Sequence, residues 1–210
     1  MKAVINILLT VVIVVLVYLL YESIMDPIRF NNEKDRREEA IKERLIDIRE
    51  AQILFRQKYG HYTGSFDTLI NFIKNDSIPV VYREGQITDE MVSKGMTEKE
   101  AIKQNLIIRD TTFIAITDSV FSINYPIDSI RFVPIVRGAQ FEMEAAAVET
   151  GSRVVVQVFE ASVLNNVFLQ GLDKQLITNY NVLRNEITGF PGMRVGNVKE
   201  PNNNAGNWEN

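Results

Sequence analysis

The chain has 210 residues, a net charge of −4 and no cysteine. This excludes disulfides, thiolate chemistry and cysteine-ligated zinc or iron–sulfur centres. The mild negative charge argues against nucleic acid as a partner, and the length suits one anchor plus one domain of ordinary size.

The first element dominates the chain. Ala3 to Tyr21 carries no charge, proline or glycine, and only Asn6 and Thr10 interrupt the apolar run. As a helix rising ~1.5 Å per residue, it covers most of a ~30 Å hydrocarbon core. A cleaved signal peptide needs a small-residue cleavage site, and Tyr21-Glu22-Ser23-Ile24-Met25-Asp26 offers none. The stretch therefore reads as a retained anchor and predicts a tethered body. Orientation is contested: Lys2 precedes the span, while Arg29, Lys34, Arg36 and Arg37 follow it. Counting Lys and Arg alone puts the body in the cytoplasm.

Pro27 is expected to end or kink the membrane helix, with Asn31 or Asn32 capping a second helix, from Glu33 to Tyr59. Its apolar residues Ile41, Leu45, Ile48, Phe55 and Tyr59 form one seam broken by Gln52, widened by Ile46, Ile53 and Leu54. The charged turns Glu33–Glu39 predict a solvated stalk that becomes buried farther on. The seam has two readings: packing on neighbouring subunits, or packing on its own domain's core, which the width of the stripe favours. Gly60 ends the helix and His61–Ser65 form a loop.

Beyond the loop, Phe66–Lys74 predicts a short helix and Ile78–Tyr82 an edge strand containing Pro79. Thr88-Asp89-Glu90 and Thr97-Glu98-Lys99-Glu100 read as helix starts separated by Gly95. Strands are expected at Leu106–Arg109, Thr112–Thr117, Ser129–Ile135, Gln140–Val148 and Arg153–Ala161, then a short helix at Asp173–Asn181. From Gly189 the chain reads as loop or ordered tail. The fold class expected is α+β, an N-terminal transmembrane helix followed by a stalk helix packed on an antiparallel sheet. The divisions are 1–26 anchor, 27–60 stalk helix, 61–195 α+β extracytoplasmic domain and 196–210 Asn/Gly-rich tail.

The junction Ala51–Tyr62 places Ala51, Phe55, Gly60 and Tyr62 in a spacing that resembles the end of the long helix in type II secretion pseudopilins, members of the type IV pilin-like family. The resemblance implies a helix whose C-terminal half packs on an antiparallel sheet and a Gly-x-Tyr turn by which the chain leaves it. Pro27, shortly beyond the apolar run, is similar too. The family's prepilin-peptidase site, a Gly before the apolar run and a Glu inside it, has no counterpart here, so the anchor reads as a permanent tether.

Asp67-Thr68-Leu69, Asp76-Ser77-Ile78, Asp118-Ser119-Val120 and Asp128-Ser129-Ile130 resemble an O-glycosylation acceptor that some Gram-negative bacteria use on exported proteins. The candidate acceptors are Thr68, Ser77, Ser119 and Ser129. Such pairs are equally good turn and cap residues, and both readings stay open. Glycosylation would place the body outside the cytoplasm, against the charge count.

His61 is the only histidine, which leaves no paired-His metal centre and makes a Ser-His-Asp arrangement depend on it. There is no P-loop and no G-x-G-x-x-G. Glu142 and Glu144 alternate with Phe141 and Met143, as on the wet face of a strand. Asp110, Asp118 and Asp128 would have to gather at a sheet edge to hold calcium, without a loop signature for it.

These observations point to a non-enzymatic, membrane-anchored structural subunit of a bacterial envelope assembly, pilin-like or part of a secretion system. It would lie in the inner membrane with its body in the periplasm or at the cell exterior. The expected partners are the membrane, other envelope proteins and further copies of the chain, with no cofactor, nucleic acid or small-molecule substrate. In that reading the Ile41/Leu45/Ile48 seam contacts partners. The alternatives are a single-pass scaffold unrelated to pilins and an envelope enzyme with an unrecognised site.

Overall fold

The computed structural model describes residues 2–85, 95, 97–103, 106, 108–119, 121, 125–151 and 153–209. A single helix, α1 (Lys2–Tyr59), holds both the apolar run and the stalk. Pro27 lies inside it. The expected helix end at Pro27 is thus not found: a proline removes one backbone donor, and the helix runs on past it to Tyr59.

Over the apolar run every large side chain is exposed, from 46% at Val12 to 70% at Val4. Farther along, Phe30, Ile41, Leu45, Ile48, Ala51, Gln52 and Phe55 are buried. The change follows the residue pattern, apolar on all sides first and then a single stripe. One expectation is corrected in part: the charged turns after Asn32 are solvated on one face, where Asp35, Arg36 and Glu39 are exposed, and packed on the other. Phe30 is already buried, and the Lys34 and Arg37 side chains are only 15% and 14% exposed.

The chain leaves α1 at Gly60, whose φ of +80° suits glycine and whose N–H donates to the Arg56 carbonyl at 2.8 Å. Helix α2 (Phe66–Asn75) follows, capped by Ser65, which accepts from the Thr68 N–H. Strand β1 (Ser77–Glu84) and β2 (Ile108–Ala115) pair antiparallel as a separate ribbon, Ser77 opposite Ala115 and Glu84 opposite Ile108. One strand stands where Leu106–Arg109 and Thr112–Thr117 were expected, and Ile116 opens the short helix α4 (Ile116–Ser119) instead.

Between the ribbon strands lies α3 (Glu98–Lys103). Glu100 reaches back to the helix start, one half of a capping box: the Thr97 N–H and hydroxyl both donate to its carboxylate, at 2.9 and 3.0 Å. These bonds hold the Glu100 carboxyl below its ordinary pKa. The helix start expected at Thr88-Asp89-Glu90 lies outside the described residues.

The main sheet has strand order β3-β4-β5, all antiparallel: β3 (Glu142–Glu149), β4 (Val155–Leu164) and β5 (Gly192–Gly196). Helix α5 (Asn165–Phe168) and helix α6 (Lys174–Thr188) connect β4 to β5. Asp173 caps α6 by accepting from the Leu176 N–H at 2.9 Å, and Gly189 ends it in the left-handed region. Register puts Met143, Ala161 and Val195 in one row, with Ala145 and Phe159 in the next. That face carries Phe159, Ala161 and Val195, each 0% exposed, and α1 packs against β4 and β5.

Two expectations fail in this half. Ser129–Ile135 is no strand; Ile127–Ser129 form a 3-10 turn, and Ile130 and Val133 are buried core. The chain after Gly189 is not merely a tail, because Met193 and Val195 on β5 belong to the core. Gly192 makes this fit, since a Cβ there would run into the Val163 carbonyl. The Asn-rich end then covers the outer edge of β5. The Asn207 N–H donates to the Arg194 carbonyl at 3.0 Å, and its side chain accepts from the Arg194 N–H at 3.2 Å. An exposed strand edge invites unwanted pairing, and this segment occupies it.

Candidate functional site

The predicted seam is where the structure departs most from the assembly reading. Ile41, Leu45 and Ile48 are each 0% exposed, Ala51 likewise, and Phe55 is 4% exposed. All belong to the chain's own core, so the seam is not available to partners. The width of the stripe had favoured this outcome. Tyr59, at the end of the seam, is 47% exposed. Its ring lies 4.7 Å from Phe55, and its hydroxyl donates to Asp76 at 2.7 Å. Lys58 sits 2.8 Å from the same carboxylate. Lys58, then Tyr59, hold the Asp76 carboxyl below its ordinary pKa.

Ala51, Phe55, Gly60 and Tyr62 stand around the exit from α1. Ala51 and Phe55 face the core, and Tyr62 folds back to place its ring 4.9 Å from Phe159. Arg56 and Asn204 donate to the Tyr62 hydroxyl at 3.1 and 2.8 Å, which ties the C-terminal segment to the turn. Gln52, the one break in the seam, is the residue whose role the sequence did not reveal. It is 0% exposed. Its amide donates to the Thr63 carbonyl at 2.5 Å and accepts from the Thr63 N–H at 3.1 Å. A buried backbone pair that has left the helix needs partners, and Gln52 supplies both. A lone polar residue inside an apolar seam was the available signal.

Below the turn, polar groups on α1 each hold a different part of the body. Arg49 meets Glu209 at 2.7 Å, lowering that carboxyl's pKa. Arg44 donates to the Ser129 carbonyl, and Tyr125 donates to Asp47 at 2.5 Å. Nearest the span, Tyr180 donates to Glu38 at 2.5 Å. Lys34 lies 4.7 Å over the Tyr180 ring, and Arg37 donates to the Phe168 and Gln170 carbonyls at 2.8 and 3.0 Å. Arg37 thus caps the last carbonyl of α5 and one in the loop just beyond it. Burial, and then the carboxylate acceptors, push the Tyr125 and Tyr180 hydroxyls well above the ordinary tyrosine pKa.

The outer face of the main sheet gathers opposed charges. Glu144 stands opposite Glu160, and Ser162 lies between Glu142 and Arg194 in the next row. These residues, with Phe190 and Lys199, border a cavity of about 220 Å³. Arg194 approaches Glu160 at 3.7 Å and stacks 5.2 Å from the Phe190 ring. Directly opposed like charges repel, and Arg194 offsets that. Glu142 and Glu144 are exposed, as the alternation predicted.

The remaining candidates are scattered. Thr68 is exposed on α2, and Ser77 is partly buried on β1. The Ser129 hydroxyl is engaged, donating to the Pro126 carbonyl at 2.7 Å and accepting from Arg44 at 3.3 Å. The Ser119, Asp110 and Asp118 side chains lie outside what the structure describes. Asp128 is exposed and pairs with Lys74 at 2.6 Å. His61 is an exposed loop residue whose Nδ1 lies 3.0 Å from the Tyr62 carbonyl.

Compared with family models, curated proteins and solved structures, the chain matches none. What the structure shows is the α+β layout, a long apolar N-terminal helix with antiparallel sheets.

Proposed function

We propose that this chain is a membrane-anchored, non-catalytic structural subunit of a bacterial envelope assembly, with a pilin-like build. Its anchor lies in the inner membrane and its body on the periplasmic or outer side. One observation carries the reading: α1 passes without interruption from an exposed apolar span into the core of the body. A break between anchor and body would let the body swivel, whereas a continuous helix transmits position and load between membrane and sheet. The packing of α1 on β4 and β5 also favours the pilin-like build over an unrelated scaffold.

With the Ile41/Leu45/Ile48 seam inside the core, partner contacts fall on outward surfaces. The apolar side chains left exposed there include Tyr82 and Phe113 on the ribbon and Val182, Leu183 and Ile187 on α6. The test combines external protease on intact spheroplasts with photo-crosslinking from Leu183 and Phe113 in living cells. Digestion of the body, together with cross-links to a second copy or to an envelope protein, is the expected result. A body protected from protease, or one that yields no cross-link from either site, overturns the proposal.

A further inference from the structure

The cavity on the outer face of the main sheet holds more acceptors than the chain itself uses. Register sets Ser162 between Glu142 and Arg194 in one row, and Glu144 against Glu160 in the next. Ser162 borders the cavity and is only 7% exposed, yet its hydroxyl bonds to no other described residue. A buried hydroxyl without a partner is costly unless something fills the space it faces. Of the three carboxylates that border the cavity, only Glu160 has a cation beside it among the described residues, Arg194 at 3.7 Å. Lys199 borders the cavity too, and pairs with none of the three.

We infer that this cavity is a receptor for a primary ammonium group carried on a short alkyl stem. The lining sets three carboxylates against two cations, so it favours a positive guest. A cation held between Glu144 and Glu160 relieves the repulsion of that directly opposed pair. Among the described residues no three carboxylates stand close enough to hold a metal ion. An ammonium instead spreads its three N–H donors over separate acceptors. Those acceptors are the Ser162 oxygen at the buried floor and the Glu142 and Glu144 carboxylates at the exposed rim.

A flat guanidinium or a quaternary ammonium would call for an open aromatic face. Phe190 is the aromatic side chain of this lining, and Arg194 already stacks 5.2 Å from its ring. A volume of about 220 Å³ admits the charged head and a few methylenes. An alkylamine in solution and a lysine on a partner's surface present the same group, and titration separates the two sources.

The full chain, nitrogen-15 labelled in detergent micelles at neutral pH, would be titrated with three probes. These are n-butylamine, an acetylated glycine–lysine–glycine amide, and n-butanol as the uncharged control. Saturable shifts of the Ser162, Glu160 and Arg194 amide signals are expected with an ammonium probe and not with butanol. Peptide binding as tight as butylamine binding supports the receptor and assigns it to a partner's lysine. Binding of butylamine alone supports it and assigns it to a free amine. Ser162→Ala should weaken binding about tenfold, as the loss of one hydrogen bond to a charged group does. Lys199→Gln removes a competing cation and should tighten binding several-fold, a gain that misfolding cannot produce. Shifts that do not saturate, or equal shifts with butanol, overturn the receptor. So do Ser162→Ala and Lys199→Gln variants that both bind like the native chain. None of these outcomes bears on the anchor, so the receptor can fail while the proposed function stands.

Discussion

Residues 4–24 and residues 30–55 of α1 share one backbone and one helix, yet they have no surface property in common. In the first segment the apolar side chains lie outward on all sides, and the window long enough to cross a membrane has no buried residue. In the second, apolar side chains keep to one stripe against the sheet, and arginines and carboxylates on the flanks bind the body. The difference is one of solvent. Lipid accepts apolar groups in every direction but no unpaired backbone; a protein core accepts them in one direction only and demands close fit. Losses of side-chain volume should therefore matter in the second segment and hardly register in the first.

The largest expected effect tests that contrast. Leu45→Ala empties a fully buried site and should cost about 2–5 kcal/mol of body stability. Leu16→Ala, in the exposed apolar segment, should leave the body's melt unchanged. Urea melts of the detergent-solubilised chain, followed by tyrosine and tryptophan fluorescence, measure both, and equal losses would break the comparison.

Next comes Gln52→Ala, which strips the Thr63 backbone of both partners and should cost about 1–3 kcal/mol or more. A loss nearer zero would mean that the turn repacks without the amide. Gly192→Ala drives a methyl into the β4 backbone and should cost about 1–3 kcal/mol. A stable variant would return the segment after Gly189 to a mere tail.

A pH effect distinguishes the rungs between α1 and the body. Tyr125 and Tyr180 have raised pKa values in the folded chain, so they bind their protons more tightly folded than unfolded. Their contribution is fully present below the ordinary tyrosine pKa of about 10 and is lost as pH rises above it. Thermal melts should fall more steeply above pH 10 in the native chain than in the Tyr125→Phe/Tyr180→Phe variant. The smallest effect concerns the exposed Lys74–Asp128 pair. Lys74→Ala should change the melting free energy by no more than about 1 kcal/mol.

The turn at Gly60 was legible because local rules act over a few residues: an αL glycine, an aromatic two positions on and a seam that stops. The seam's burial was legible from its width. Helix α6 was legible from its Asp173 start, although it runs on to Thr188. The β5 strand was not, because glycine and proline at its ends signal a loop. What makes it a strand is its pairing with β4, from Glu160 opposite Gly196 to Leu164 opposite Gly192. Ser129–Ile135 misled in the opposite way, since alternating apolar residues there serve a compact turn under Arg44 instead of a ladder. The charged turns Glu33–Glu39 looked solvated because charge near a membrane end usually is; Arg37 and Lys34 instead meet carbonyls and a tyrosine ring supplied from far along the chain.

From composition alone, the span, the stripe and the exit from the helix follow, because each depends on periodicity or on one residue's backbone freedom. Only the tertiary structure decided that Pro27 does not divide α1, that the seam is spent on the chain's own core, and that burial on α1 begins at Phe30. The physical reason is common to the last two. Packing energy from residues more than a hundred positions away outweighs the local preference of a run of charges, and no local pattern encodes where that distant chain will return.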